Sequence, residues 1–186
     1  MIERDFSIPN DIKHDYIIID GKKIHVAKIG KGKPIILIHG WPEFWVTWLP
    51  ISKYLNEYEL IIPDLYGFGD SDKPKEIMDD LDGNFHSEYL IKIIDNYNIK
   101  NFVIITHDIG SWIAQSLMKN FPNRVHGGIF FNCPTPSVSL DWIKDGHFNE
   151  IWYMSFHQLE LSKKLIGYNK ETCKLYFEFI LNHWSY

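Results

Sequence analysis

Three short segments hold the residues best suited to chemistry. The first, His39-Gly40-Trp41-Pro42, comes after the apolar run Ile35–Ile38. Gly40 permits a sharp turn and Pro42 stiffens the chain beyond it, so the loop can aim the Trp41 N–H into a site. The second, Asp64-Leu65-Tyr66-Gly67-Phe68-Gly69-Asp70-Ser71-Asp72-Lys73-Pro74, is a rigid loop whose carboxylates suit backbone amides, a structural task. The third is Thr106-His107-Asp108-Ile109-Gly110. Its spacing fits the tight strand-to-helix turn that lifts a nucleophile above a sheet, with Asp108 at the raised position. A carboxylate placed there can displace a leaving group at an sp³ carbon and form an ester. Hydrolysis of that ester needs N–H donors for an oxyanion, and Ile109 and the first loop offer them. An Asp before a helix also serves as an N-cap, and for Asp108 alone that second reading stands beside the first.

The elements that must position these residues are set by periodicity. Tyr16–Ile19, Asp20-Gly21 and Ile24–Ile29 predict a β-hairpin, since Asp-Gly favours its turn. Ile35–Ile38, Glu59–Ile62, Phe102–Ile105 and Gly128–Phe131 read as buried strands. Trp48–Leu55, Ser87–Asn98 and Gly110–Phe121 read as helices between them. Alternation of this kind gives an α/β fold, a mostly parallel sheet with helices on both faces. From Asp141 onward the chain reads as aromatic-rich helix without a strand. A boundary near Ser137 divides residues 1–137 from a helical segment, residues 138–186.

Composition narrows the functional classes. Among 186 residues, 45% are apolar and 16% aromatic, which excludes a disordered chain. A net charge of −5 gives no basic footprint for nucleic acid. No apolar run approaches the roughly 18 residues of a membrane span. Two cysteines make no disulfide framework, and the first residues lack a signal-peptide pattern, so the expected compartment is the cytoplasm.

Taken together, the order and strand contexts of the three segments resemble the α/β-hydrolase superfamily, and more narrowly its epoxide hydrolases and haloalkane dehalogenases. The matching residues are His39-Gly40-Trp41-Pro42-Glu43, Asp64 to Pro74, and His107-Asp108-Ile109-Gly110. The resemblance implies Asp108 as nucleophile, the Ile109 N–H as oxyanion donor, and no metal or cofactor. Tyr153-Met154-Ser155-Phe156-His157-Gln158 resembles the start of an epoxide-hydrolase cap, which implies that Tyr153 donates to the epoxide oxygen. His39, Trp41, Pro42, Phe44, Trp45 and Trp112 are expected around the substrate, a small apolar electrophile. Thr106 departs from the pattern, standing where these relatives carry Gly and crowding the turn.

Ile109 and Trp112 stand where dehalogenases place a halide-binding Trp or carboxylate-binding arginines, so the resemblance favours an epoxide over a haloalkane. A serine esterase fits less well, because Ser111 lies three residues past the raised position. The family's late acid and His find no counterpart: His126, His147, His157 and His183 come after no late core strand. The expectation is a chain lacking two strands and their helices, roughly 60–100 residues. The non-enzymatic alternative is a truncated paralogue kept for binding. The sequence leaves the oligomeric state open.

Overall fold

The computed structural model describes residues 11–74, 82–133 and 144–184. The chain divides into two compact units, Met1–Thr135 and Pro136–Tyr186. The boundary expected near Ser137 lies outside the described residues.

In the first unit, β1 (Lys13–Ile19) and β2 (Lys22–Gly30) form the expected hairpin. Its Asp20-Gly21 turn has φ +47° and +75°, as a two-residue turn of matching twist requires. Four parallel strands come next: β3 (Lys33–Ile38), β4 (Tyr58–Pro63), β5 (Phe102–His107) and β6 (Val125–Phe131). The sheet order is β1-β2-β4-β3-β5-β6, with β2 antiparallel to β4. Strands β3, β4 and β6 begin one to three residues earlier than their apolar runs, because hydrogen-bonded pairing continues beyond the buried stretch. The helix expected at 48–55 is instead a 3-10 turn, Trp45–Trp48, running into the short α1, Leu49–Ser52.

Period-two alternation divides the core between the two faces. Ile36 and Ile38 face α2 (Gly83–Asn96) and α3 (Ile109–Asn120), meeting Leu90, Ile94 and Leu117. Ile35 and Leu37 face the other side, where Trp45, Trp48 and Leu49 cover them. Each fully buried Leu or Ile contributes roughly 1.5–3 kcal/mol, so both faces hold the sheet. Asp82 caps α2 by accepting from the Phe85 N–H at 2.8 Å.

The winding decides where a site can form. From β3 the chain passes to β4 on one side, then returns across the sheet to β5 on the other. The reversal falls between β3 and β5. Open α/β sheets place their ligands at the carboxyl ends of such neighbours. The loops that leave those two ends carry His39–Pro42 and Asp108.

The second unit comprises α4 (Phe148–His157), α5 (Glu160–Ile166) and α6 (Lys170–Trp184). No strand occurs among its described residues. Asn169 and Thr172 cap α6 reciprocally, side chain to backbone, at 2.9 and 3.2 Å. Trp152, Phe156, Tyr176 and Phe179 form an aromatic cluster, with ring centroids 5.6–6.3 Å apart.

His86, on α2, is buried with no partner at Nδ1 among the described residues. Desolvation by burial pulls its pKa from 6.5 down to about 4. The unfolded chain therefore takes up a proton below pH 6.5 that the folded chain refuses. Stability contributed by neutral His86 is complete above pH 6.5 and falls as pH drops toward 4, by about 3 kcal/mol. Urea unfolding at stepped pH should show this decline, and His86→Leu should remove the His86 share of it, leaving the share of the buried, neutral His39.

Candidate active site

At the end of β5 the chain turns into α3 through Asp108, whose backbone stands at φ +53°, ψ −124°. A non-glycine residue keeps such a conformation only where its surroundings impose it. The Asp108 N–H donates to the Phe131 carbonyl at 3.1 Å, and its own carbonyl accepts from the Ser111 N–H at 2.8 Å. Gly110 packs so closely that a Cβ there would lie 2.7 Å from the Ile38 and His39 carbonyl oxygens. Thr106 is accommodated. It is fully buried, and its hydroxyl pairs with that of Ser111 at 2.9 Å, so the crowding expected from it is absorbed by a hydrogen bond.

Asp108 occupies the N-cap position of α3 but makes no side-chain cap hydrogen bond. Its Oδ1 instead accepts from the Trp41 N–H at 3.0 Å, and Oδ2 has no hydrogen-bond partner among the described residues. This separates the two readings of an Asp before a helix: the carboxylate turns away from the helix and toward the neighbouring loop. A Cβ on Gly40 would lie 2.5 Å from the Asp108 Cβ, so only glycine lets the loop approach this closely. Ile109 is the first residue of α3, where backbone N–H groups have no partner within the helix.

The supporting groups are ordered and mostly buried. His39 is fully buried; its Nε2 accepts from the Leu65 N–H at 3.1 Å and its Nδ1–H donates to the Gly40 carbonyl at 2.8 Å. Burial lowers its pKa, outweighing nearby carboxylates, and both nitrogens suit the neutral ring. Asp64 accepts from the N–H groups of Trp45 and Asp70 and from His25, each at 2.8 Å. Burial opposes its charge, but those bonds outweigh it and hold the carboxyl below the usual range. The structural role expected of this loop is thereby met. His25, Asp64 and Asp70 are the one group of metal-type donors close together among the described residues, within 4.8 Å. Both Asp64 oxygens are already engaged by protein donors.

The Trp41–Pro42 bond is cis. Phe44 is 42% exposed and Trp112 38% exposed. Trp45 corrects the expectation of a substrate-lining ring: it is buried in the core, edge-on to His14 at 5.0 Å and to His25 at 6.0 Å. Its place directly after the loop commits it to covering β3. Tyr153 lies in the second unit on α4, half-buried, edge-on to His157 at 5.8 Å. A cleft of about 470 Å³ opens beside the Asp108 turn, and its lining is Glu43, Thr47, Trp48, Ile51, His107, Phe131 and Asn132, not the expected aromatics.

Glu43 and His107, motif residues to which the sequence alone gives no pairing, meet at that cleft. Glu43 Oε2 accepts from the Gly40 N–H at 2.9 Å and from His107 Nδ1 at 2.8 Å, while Oε1 accepts from Thr47 Oγ1 at 2.9 Å. The i, i+4 spacing of Glu43 and Thr47 was the available signal.

A family model described as the alpha/beta hydrolase fold matches residues 33–154. The chain belongs to this α/β-hydrolase family. Epoxide hydrolase 1 of Caenorhabditis elegans is 29% identical over 157 residues, covering 78% of this chain and 37% of that protein. Epoxide hydrolase 4 of Mus musculus is 32% identical over 139 residues, covering 70% and 37%. A solved Vigna radiata epoxide hydrolase mutant superposes with a TM-score of 0.61 at 30% identity, covering 66% of this chain and 39% of that one. The chain thus spans well under half the length of these relatives. Among the described residues of this α/β-hydrolase chain, no helix is long and apolar enough to cross a membrane.

The Gly40–Asp108 contact yields a prediction. Gly40→Ala should destabilise the chain by about 1–3 kcal/mol through overpacking. Adding Asp108→Gly, which removes the opposing Cβ and relaxes the positive φ, should recover most of that loss. A double-mutant cycle in urea should give a coupling of at least about 1 kcal/mol.

Proposed function

We propose that this α/β-hydrolase chain acts on small apolar epoxides, with Asp108 as nucleophile. The observation that carries the reading is the Trp41 N–H on Asp108 Oδ1, which leaves Oδ2 available for attack. The similarity to epoxide hydrolases supports the substrate class.

In the first step Oδ2 attacks an epoxide carbon. The ring C–O bond breaks, its electron pair goes to the oxygen, and, in the role the family resemblance implies for Tyr153, a proton from its hydroxyl completes the alcohol. The product is a hydroxyalkyl ester on Asp108. In the second step water adds to the ester carbonyl carbon and loses a proton to a base. Negative charge then gathers on Oδ1, where the Trp41 N–H already points, and the Ile109 N–H is the second donor. Collapse expels the alkoxide, which takes the proton held by the base to complete the diol, and the new Asp108 carboxylic acid returns a proton to the Tyr153 phenolate, restoring both groups. Ile109 offers no side-chain N–H to a departing halide, so an epoxide suits this site better than a haloalkane.

The second step needs a base, and the histidines beside Asp108 are committed elsewhere. Both nitrogens of His39 are engaged, and the Glu43 carboxylate favours the protonated His107 ring, which has no lone pair to take a proton from water. The 186-residue chain incubated with styrene oxide should therefore gain one substrate mass, which peptide mapping places on Asp108. Asp108→Asn should abolish the adduct. Tyr153→Phe should slow it by roughly 100-fold, the usual contribution of a positioned acid. Faster labelling by a haloalkane than by styrene oxide would overturn the substrate class. A folded chain that takes neither label would overturn the nucleophile.

A further inference from the structure

We propose that Glu43 is a positioning residue for Asp108, pinning the loop that carries the Trp41 N–H against the β5–α3 turn through simultaneous bonds to the Gly40 N–H and the His107 ring. The inference rests on Asp108 being the reacting group, the reading given above. Its support is the connectivity. Glu43 Oε2 touches both sides of the contact, Gly40 on the loop at 2.9 Å and His107 on the strand at 2.8 Å. Thr47 Oγ1 holds the other oxygen at 2.9 Å and fixes the carboxylate plane. Gly40 immediately precedes Trp41, and His107 immediately precedes Asp108. One carboxylate therefore bridges the two residues adjoining the Trp41–Asp108 hydrogen bond. The Gly40 N–H is consumed in this bridge, which leaves the Trp41 N–H as the loop donor directed at Oδ1.

The bridge is an ion pair, so it responds to pH. The Glu43 hydrogen bond raises the His107 pKa above 6.5 against the opposing effect of burial. Burial disfavours the Glu43 charge, but the bonds from His107, Gly40 and Thr47 outweigh it and lower its pKa. Asp108 also faces His107 and favours its charged form. His39, close enough to feel Glu43, is held toward its neutral form by burial. The other described residues of the cleft, Thr47, Trp48, Ile51, Phe131 and Asn132, carry no charge. The pair is fully charged between the lowered Glu43 pKa and the raised His107 pKa. It weakens as pH rises through that value, because the proton that makes His107 a cation is lost.

The test combines nuclear magnetic resonance with labelling on the full 186-residue chain. In the wild type, the Gly40 and Trp41 amide shifts should titrate with the same midpoint as the His107 ring, above pH 6.5. In Glu43→Gln, which keeps an acceptor but loses the charge, the His107 midpoint should fall and the Trp41 amide should cease to follow it. Labelling of Asp108 by styrene oxide should slow roughly 10- to 100-fold in Glu43→Ala, with partial recovery in Glu43→Gln. Trp41 shifts independent of His107, or a Glu43→Gln chain labelled at the wild-type rate with an unchanged pH profile, would overturn the proposal. If the wild type takes no label, the nucleophile reading fails on its own, and the amide titrations still decide whether Glu43 holds the loop. If Glu43→Ala does not fold, Glu43→Gln carries both readouts.

Discussion

The close approach of Gly40 to Asp108 is the constraint on which the rest of the site depends. Asp108 sits at a positive φ, a conformation costing on the order of 1–3 kcal/mol for a residue with a side chain. Three strands contribute to holding it. The loop after β3 supplies the Trp41 N–H, β5 supplies the turn itself, and β6 supplies the Phe131 carbonyl that receives the Asp108 N–H. These strands are neighbours only because the chain reverses its winding between β3 and β5. The apolar alternation that orders the sheet therefore also sets the position of the carboxylate. The two close-packed glycines, Gly40 and Gly110, convert that order into contact.

Around this contact the histidines fall into two electrical classes. His39 is fully buried, gives and takes one hydrogen bond with backbone groups, and is suited to neutrality. His107 is less buried, faces two carboxylates and is suited to charge. The difference arises from their partners. A backbone N–H aimed at a ring nitrogen demands a lone pair there, whereas a carboxylate aimed at a ring nitrogen demands a proton. The loop is consequently anchored twice, by a neutral bond to the Asp64 loop and by an ion pair to the strand that ends beside Asp108.

Much of this was legible in the sequence, for reasons that separate by range. Asp-Gly between apolar runs specifies the hairpin, and continuous apolar runs specify strands covered on both faces. Asp64 was recognisable as structural, because a carboxylate in a Gly-rich loop is surrounded by amides. Trp45 was misplaced because its type suits a pocket as well as a core; only the packing of the 3-10 turn over β3 decides between them. Glu43 falls in a matching segment, but its role is not legible there, because its partners, Gly40, Thr47 and His107, converge only once β3 and β5 lie side by side. Thr106 was read as an obstacle, since the sequence does not reveal that the Ser111 hydroxyl sits across from it.

Asp64 and Asp108 occupy comparable places, each just beyond the end of a parallel strand, yet they are suited to opposite tasks. Asp64 is fully buried and its oxygens accept from two backbone N–H groups and one imidazole. Whichever oxygen attacked carbon would first have to give up its own buried donors, Trp45 for Oδ1 or Asp70 and His25 for Oδ2, and breaking a buried charged network costs roughly 3–5 kcal/mol. Asp108 is only partly buried and accepts one bond from the described residues, on the oxygen that would become the oxyanion of an ester intermediate. Its other oxygen needs no such bond broken. The number and placement of donors, more than residue type or loop position, distinguish a carboxylate that holds a fold together from one free to react.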